Sequence, residues 1–346
     1  MSSESKPLAI TMGDPAGIGP EIIAKAFRDA PWVTAGCFVV GDVATLRRAS
    51  AVVSGPGRPL IPVARIDAPS AALAAPPRCI PVLQATRSEA PVEFGRVSAI
   101  AGKAAAECVV WTARAALRKD ISAMVTAPVH KEALAAAGVP YPGHTELLQA
   151  ESATFLGKAV ADVPVRMMLA NEELRTVLVS IHVALRDAIA AVTLENLLQT
   201  LRITHESVGA LLHRTPRIGV AGLNPHAGEG GLFGREELDV ITPAIEAARK
   251  AGMDVSGPFA PDTVFMRART TANQPGEFDV VIAMYHDQGL IPVKYLGVDK
   301  GVNVTLGLPL RRTSPDHGTA FDLAGTGQPD PSSLIEAIRF ARGLRT

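Results

Sequence analysis

The sequence is poor in cysteine and has no excess of charge of either sign. Its 346 residues include three cysteines, Cys37, Cys79 and Cys108, which are far apart and never in a CxxC spacing. This argues against a disulfide framework or a thiolate zinc site, and it fits a reducing compartment. The 34 basic residues equal the 34 acidic residues, so no global field attracts nucleic acid or anionic lipid.

Targeting segments and membrane-spanning runs are also lacking. Residues 1–14 contain no apolar region of the kind found in a secretory signal. The apolar stretch at 108–111 is flanked by Lys103, Glu107 and Arg114, and no apolar run is long enough to span a bilayer. We therefore expect a cytoplasmic protein without membrane or nucleic-acid partners.

Short apolar runs alternate with helical patterns along the chain. The runs are rich in Val, Ile and Met and mostly lack a two-residue alternation, which is typical of strands buried on both faces of a parallel sheet. The predicted strands are 8–12, 37–40, 123–125, 175–181, 218–221, 280–284 and 302–306. The predicted helices are one opened by Pro20 and Glu21, then 97–118, 185–212, 235–250 and 332–344. Residues 54–90, dense in Pro, Ala and Arg, are expected to form loop and edge structure.

This alternation predicts an α/β fold with a doubly wound, mainly parallel sheet. The length exceeds that of one typical core. We expect residues 1–346 to form one catalytic unit of two lobes, with the sheet running through both lobes and a central cleft between them.

Three histidines stand just past predicted strands. His182 ends the run LRTVLVSIH, His226 ends RIGVAGLNPH and His286 ends DVVIAMYH. Ligands of open parallel sheets bind beyond the carboxyl ends of the strands, so three imidazoles there could hold one metal. Imidazole favours zinc, cobalt or nickel over magnesium, and three protein ligands with open positions are typical of a catalytic site. The alternative is that each histidine is a hydrogen-bonded structural residue; His205 and His213, on a helical pattern, are expected at the surface.

Glycine-rich loops and basic residues provide candidate sites for an anionic ligand. The loop GDPAGIGPE at 13–21 matches neither GxGxxG nor a P-loop, so a tight strand-to-helix turn is the alternative. Thr145, in the segment GHTE, could cap the following helix. Lys294, Asn303 and Arg312 together would suit a phosphate or a carboxylate of a substrate.

Longer motifs carry a resemblance to a known family. They are ITMGDPAGIGPEI, TAPVHKEAL, GHTELL, GLNPHAGEGG, APDTVF, MYHDQGL and VNVTLGLPLRRTSPDHGTAFDLAG. With them the chain resembles the 4-hydroxythreonine-4-phosphate dehydrogenase family of pyridoxine (vitamin B6) biosynthesis, nearly from end to end. The resemblance implies a more distant similarity to isocitrate and isopropylmalate dehydrogenases, and with it a fold of that kind and an NAD cofactor, NADP being the alternative.

The resemblance also implies roles for individual residues. The metal ligands would be His182, His226 and His286, holding one divalent ion, with zinc favoured and cobalt, magnesium and manganese as alternatives. Substrate contacts would be His144, Thr145, Lys294, Asn303 and Arg312. Cofactor contacts would be His317, Gly318, Thr319, Ala320 and Asp322. Lys294 and Asp287 are the expected catalytic residues, Asp287 either orienting the metal site or taking part in proton transfer. The family further implies a homodimer with its active site at the interface.

The implied reaction oxidises a secondary alcohol beta to a carboxylate and then releases carbon dioxide. The expected substrate is the small anion 4-hydroxythreonine 4-phosphate, which would give 3-amino-2-oxopropyl phosphate. Relatives that act on D-threonate or D-erythronate 4-phosphate, or on the cis-dihydrodiol of terephthalate, remain alternatives. Two alternatives of other classes are a metal-dependent lyase without NAD and a metal-storing binding protein.

Overall fold

The computed structural model describes residues 6–55, 57–86, 91–297 and 300–343. The chain divides into two compact units. Unit 1 comprises Met1–Pro164 and Leu308–Thr346, and unit 2 comprises Val165–Gly307. Strands and helices are numbered along the chain, and each unit is described by itself.

Unit 1 is built on parallel strands in the order β3-β4-β2-β1-β5-β12. The strands are β1 (Leu8–Thr11), β2 (Cys37–Gly41), β3 (Val63–Ile66), β4 (Ile80–Gln84), β5 (Met124–Thr126) and β12 (Arg312–Pro315). The helices are α1 (Gly19–Asp29), α2 (Pro31–Thr34), α3 (Val43–Val52), α4 (Ala99–Leu117), α5 (Lys131–Ala136), α6 (His144–Leu156) and α12 (Ser332–Ala341). Every residue of β1, β2 and β5 is buried, as expected for parallel strands covered on both faces.

Unit 2 has its strands in the order β11-β6-β7-β10-β8-β9. They are β6 (Arg166–Ala170), β7 (Arg175–Leu178), β8 (Ile218–Ala221), β9 (Val255–Phe259), β10 (Val280–Ala283) and β11 (Val302–Leu306). The four from β7 to β9 are parallel, whereas β6 is antiparallel to both of its neighbours. The helices are α7 (Leu185–Ala190), α8 (Leu194–Leu212), α9 (Thr242–Lys250), α10 (Val264–Ala268) and α11 (His286–Tyr295).

The core of unit 2 lies where β10 and its neighbours meet α11. Leu178 and Val281 on the strands and Val293 on the helix are fully buried in one apolar cluster. The short apolar runs that predicted strands thus form the sheet centre, and the predicted mainly parallel α/β fold is confirmed. None of the helices in the described ranges is both long enough and apolar enough to cross a membrane.

Two of the strands that the sequence pattern missed, β9 and β12, lack an uninterrupted apolar run. β9 contains a Gly-Pro pair and β12 reads RTSP, so neither shows the composition of a buried strand. β3 and β4 lie within 54–90, at the edge of the unit 1 sheet, which agrees with the edge structure expected there. Of that segment, residues 56 and 87–90 lie outside the described residues.

The prediction of one helix over 185–212 is wrong. Two helices, α7 and α8, are separated at residues 191–193. Thr193 has an extended backbone, and its side chain accepts a hydrogen bond from the Asn196 backbone N–H at 3.2 Å. The threonine therefore caps a new helix instead of continuing the old one. The prediction for 235–250 needs a smaller correction, because Glu237–Ile241 is π-helical and only the part from Thr242 is α-helical.

Replacing Thr193 with Ala should destabilise α8. The change removes the acceptor for the Asn196 N–H, which should cost about 1 kcal/mol of helix stability. Amide hydrogen exchange in the first turns of α8 measures this loss. Thr193→Ser keeps the hydroxyl and should exchange like the unaltered protein; equal exchange in the Ala and Ser variants would contradict the capping role.

Candidate functional site

The three histidines that follow predicted strands are carried by three neighbouring parallel strands of unit 2. β7, β10 and β8 are adjacent in the sheet, and they precede His182, His286 and His226 respectively. His182 and His226 are exposed and His286 is half-buried. Since the carboxyl ends of parallel strands lie at one edge of a sheet, the structure brings all three histidines to the same edge.

Two of these histidines line one open pocket. The ring centroids of His182 and His286 are 5.7 Å apart. The pocket has a volume of about 440 Å³. Its lining residues are Ile181, His182, Val183, Leu185, Ala188, Tyr285, His286 and Asp287. Asp287, predicted as a catalytic residue, is therefore part of this pocket, and its Oδ1 lies 2.6 Å from Nδ1 of His286. That contact leaves the Nε2 of His286 as the nitrogen able to bind a metal.

His226 lies in a loop with an unusual backbone. It is the first of six consecutive residues with positive φ, ending at Gly231, and its own φ is 51°. Its ring is 6.3 Å from that of Phe233. Among the described residues of this single chain, no three His, Cys, Asp or Glu side chains are arranged to hold a metal. The third histidine thus shares the sheet edge with the other two but not their pocket.

The remaining predicted residues of unit 2 lie on the elements next to this edge. Lys294 is half-buried on α11, eight residues after His286, which puts it about 12 Å along the helix axis. Asn303 is half-buried on β11, opposite Leu169 of β6. Because β6 separates β11 from β7 in the strand order, Asn303 lies two strands away from the nearest histidine-bearing strand.

Unit 1 holds the other predicted substrate contacts, and Arg312 is the most deeply buried of them. Arg312 is the first residue of β12 and is 5% exposed. Its Nε and Nη2 donate hydrogen bonds to the Thr126 hydroxyl, at 3.0 and 2.7 Å. Burial lowers the pKa of Arg312 to about 10, against an opposing effect of Glu146. A buried arginine at the start of a parallel strand has donors of the geometry that suits a phosphate or a carboxylate.

His144 lies close enough to Arg312 for the guanidinium to affect its titration. Burial is the main reason that the pKa of His144 is held well below its usual value; the charge of Arg312 lowers it further, and a hydrogen bond to the Ala127 backbone opposes both. The imidazole Nε2 is buried and has no hydrogen-bond partner among the described residues. Thr145 is the second residue of α6, which Gly143 precedes as N-cap, so the prediction that Thr145 caps this helix is wrong.

The predicted cofactor segment packs against the first glycine-rich loop of the same unit. The Ile18 N–H donates to the Thr319 carbonyl at 3.0 Å. A Cβ on Gly17 would lie 2.9 Å from that same oxygen, so only glycine permits this approach. His317, Gly318 and Asp322 are exposed, Ala320 is half-buried and Thr319 is buried. The exposed members of the segment are accessible to a ligand, while Thr319 secures it to the loop.

Glu21 has a role that the sequence pattern did not reveal. It lies in the first turn of α1, as predicted, and it is fully buried. Its two carboxylate oxygens accept hydrogen bonds from the backbone N–H groups of Gly325 and Gly327, at 2.5 and 2.8 Å. Glu21 therefore clamps the end of the HGTAFDLAG segment. A glutamate within an apolar, glycine-rich stretch was the available signal.

Asp14 and His130 are further residues that sequence analysis left unassigned. Asp14 is fully buried; its Oδ1 accepts from the Ala16 N–H at 2.9 Å, and its Oδ2 has no partner among the described residues. Burial raises the pKa of Asp14, while hydrogen bonds from Ala16 and the proximity of His130 oppose the rise. His130 stacks on Phe321 with ring centroids 4.6 Å apart. The loops that contain these residues thus meet the cofactor segment as well.

A family model described as "Pyridoxal phosphate biosynthetic protein PdxA" matches residues 34–341. The chain belongs to the PdxA family. This confirms the family resemblance drawn from the motifs. The match includes all the predicted metal, substrate and cofactor residues, although it assigns no role to any of them.

Relatives of this PdxA-family chain are similar over nearly their whole length. A 4-hydroxythreonine-4-phosphate dehydrogenase of Beijerinckia indica subsp. indica is 50% identical over 98% of the chain and 95% of the relative. A D-threonate 4-phosphate dehydrogenase of Salmonella typhimurium is 44% identical over 99% of both chains. The solved structure of a 4-hydroxythreonine-4-phosphate dehydrogenase from Klebsiella pneumoniae superposes with a TM-score of 0.86 at 40% identity, over 99% of this chain and 100% of the other. These dehydrogenase relatives support an oxidoreductase activity.

The lowered pKa of His144 should make stability fall on acidification. The unfolded histidine takes up a proton near its ordinary pKa of 6.5, whereas the folded one resists it. Stability is therefore lost as the pH drops below that value. Urea unfolding of the unaltered protein and of His144→Gln at pH 8 and pH 5.5 should show a smaller acid-induced loss in the variant; identical losses would contradict the assignment. A proton NMR titration of the His144 imidazole measures its pKa independently.

Proposed function

We propose that this chain is an NAD-dependent dehydrogenase that oxidises the hydroxyl beta to the carboxylate of a small phosphorylated hydroxy acid and then releases carbon dioxide. In the first step the secondary hydroxyl loses its proton and its carbon transfers a hydride to NAD. The resulting β-keto acid loses its carboxylate as carbon dioxide. The favoured substrate is 4-hydroxythreonine 4-phosphate, the molecule for which the Beijerinckia relative is named.

The observation that carries this proposal is the proximity of the buried Arg312 guanidinium to half-buried His144, whose Nε2 atom is itself buried. A guanidinium removed from water and hydrogen-bonded to a neutral hydroxyl has donors suited to a phosphate, whose oxygens it can bind in pairs. His144 is kept neutral by its surroundings, and its buried Nε2 remains available for one hydrogen bond. We assign Arg312 to phosphate binding and His144 to a neighbouring oxygen of the substrate.

The histidine donors of unit 2 fit a divalent metal in chemical type and in exposure. His182, His226 and His286 would hold it, and such an ion would supply Lewis-acid polarisation of the reacting oxygen. Asp287 orients the imidazole of His286 through the Nδ1 contact of 2.6 Å. We propose that the functional form is a homodimer with its active site at the interface, in which a second set of these exposed histidines is present.

We assign binding of NAD to the HGTAFDLAG segment of unit 1, which contacts of Glu21 and Thr319 stabilise. Buried hydrogen bonds hold the HGTAFDLAG segment, while His317 and Asp322 stay exposed. A segment whose backbone is held in place while some of its side chains remain exposed suits an adenosine moiety, because little conformational entropy is lost on binding. The exposed carboxylate of Asp322 would accept from ribose hydroxyls, which favours NAD over NADP.

D-Threonate 4-phosphate is the second candidate substrate. The Salmonella relative named for it is 44% identical over the whole chain. The two substrates share the phosphate and the hydroxyl that is oxidised. They differ at one carbon, which carries an amino group in 4-hydroxythreonine 4-phosphate and a hydroxyl in D-threonate 4-phosphate. The buried Arg312 would serve both.

A substrate panel tests the proposal. Purified protein with NAD and zinc, cobalt or magnesium should reduce NAD, followed at 340 nm, with 4-hydroxythreonine 4-phosphate faster than with D-threonate 4-phosphate, D-erythronate 4-phosphate or the terephthalate dihydrodiol. The reverse order would transfer the assignment to the other substrate. No reduction with any of them would refute the dehydrogenase assignment.

Replacing Arg312 with Lys should weaken substrate binding selectively. The lysine keeps the charge but cannot make the paired hydrogen bonds, each of which is worth about 1.5–3 kcal/mol when charged. The KM for the phosphorylated substrate should rise about tenfold or more, while the KM for NAD should change by less than about twofold. Arg311→Lys, at the exposed neighbour, is the matched control. Equal effects on both KM values would contradict the anchoring role.

A further inference from the structure

Residues 91–98, the connector that leads into α4, contact two loops of unit 1. The Gly95 N–H donates to the Ala16 carbonyl at 2.8 Å, in the glycine-rich loop. A Cβ on Gly95 would lie 2.8 Å from the carbonyl oxygen of Phe321, in the HGTAFDLAG segment. The backbone at Gly95 is therefore in contact with the glycine-rich loop and with the segment assigned to NAD.

A second contact with the same segment lies one residue earlier in the connector, at Phe94. A Cβ on Gly325 would lie 2.6 Å from the Phe94 ring. Gly325 is also the residue whose N–H donates to the buried carboxylate of Glu21. Phe321 and Gly325 stand on either side of Asp322, the exposed carboxylate assigned above to the ribose of NAD. The connector therefore supports the stretch that presents Asp322 from both sides.

Arg48, on α3, holds the connector in place. Its Nη1 donates to the Val92 carbonyl at 2.5 Å, and its Nη2 donates to the Pro15 carbonyl at 3.0 Å. Its guanidinium carbon lies 3.9 Å from the centroid of the Phe94 ring, which is a cation–π contact. One side chain thus joins α3 to the connector and to the glycine-rich loop, and it packs on the ring that contacts Gly325.

The surroundings of this guanidinium favour the arrangement. Burial lowers the pKa of Arg48, while the charges of Glu21 and Asp42 oppose the lowering. A partly buried guanidinium that left the two carbonyls would lose hydrogen bonds that little water is present to replace. The same two carbonyls would lose their charged donor. The contact between α3 and the connector is therefore costly to break.

We infer that Arg48 is a positioning residue for the cofactor site, acting through Phe94 and Gly95 to set the place of Asp322. This inference rests on the proposed assignment of NAD to the HGTAFDLAG segment. Thr319 and Glu21 hold the segment on either side of Asp322, and the connector holds the stretch between them. A carboxylate that binds a ligand must keep its place to within about 0.5 Å, so displacement of this stretch should weaken NAD binding.

Three variants isolate the role of the guanidinium. Arg48→Met removes it but keeps most of the apolar length of the side chain, and Arg48→Lys keeps the charge and one donor group. Arg249→Met is the matched control in unit 2. The Nε of Arg249, on α9, donates to the Val255 carbonyl at 2.7 Å, so this variant also loses a hydrogen bond from a helix to a backbone carbonyl. Urea unfolding should show a loss of stability in both Met variants.

Calorimetric titration of the full-length protein with NAD, and with ADP-ribose, which lacks the nicotinamide, measures the effect without turnover. Arg48→Met should bind both ligands about tenfold more weakly, the loss expected when a charge-assisted hydrogen bond is displaced. Arg48→Lys should bind with intermediate affinity, and Arg249→Met should bind like the unaltered protein. Unchanged NAD affinity in Arg48→Met would overturn the inference, as would an equal loss in Arg249→Met. If Arg48→Met does not fold, Arg48→Lys decides by the same comparison.

Combination with Asp322→Asn tests whether Arg48 acts through Asp322. Residues that act on one contact have effects that do not add. Arg48→Met should therefore weaken NAD binding less in the Asp322→Asn background than in the unaltered protein. The full tenfold loss in both backgrounds would show that Arg48 does not act through Asp322 and would overturn the inference.

The Asp322→Asn variant also separates this inference from the cofactor assignment. If the unaltered protein binds NAD and Asp322→Asn binds it more weakly, the assignment stands and the Arg48 comparisons decide the inference alone. If the unaltered protein binds no NAD, or Asp322→Asn binds it equally well, the assignment fails and the inference fails with it.

Discussion

The parallel pairing of β7, β10 and β8 is the constraint on which the site of unit 2 depends. The carboxyl ends of neighbouring parallel strands lie at a common edge of the sheet, so the residues that follow these strands lie near one another. The pairing is secured by fully buried Val, Ile and Leu residues, whose removal from water stabilises the fold. The chemistry at the edge is polar and exposed, and it contributes little to that stability. Fold and function therefore draw on different residues of the same strands.

Unit 1 presents the opposite arrangement, because its candidate functional groups are themselves buried. Arg312, Asp14 and Glu21 are all at most 5% exposed, and burying such groups is costly unless hydrogen bonds compensate. Glu21 is compensated by two backbone N–H groups, whereas one oxygen of Asp14 is not. Buried charged groups are frequent at functional sites, which agrees with the substrate-binding role proposed for Arg312.

The sequence alone predicted the parts of the molecule that depend on local pattern. The strand that precedes His226 and the strand that contains Asn303 were predicted to the residue, because an apolar run bounded by polar loops has few other structures available to it. β12 was missed because most of its residues are polar. They are buried by neighbouring elements such as β5, which residue type alone does not reveal. Glu21 was missed for a related reason. Its partners, Gly325 and Gly327, lie 304 and 306 residues away along the chain, and residue type does not reveal the partner of a polar side chain.

The left-handed backbone around His226 has a consequence for anyone who would make this protein more heat-resistant. Ala227 and Glu229 have φ values of 54° and 44°, where glycine would relieve about 1 kcal/mol of strain each. Glycine there would look like a gain in a melting experiment. It would also widen the range of conformations open to the loop and so reduce the positional order of the neighbouring His226 imidazole. At this loop, substitutions that raise thermostability would reduce the positional order of His226, and the residues present favour that order over stability.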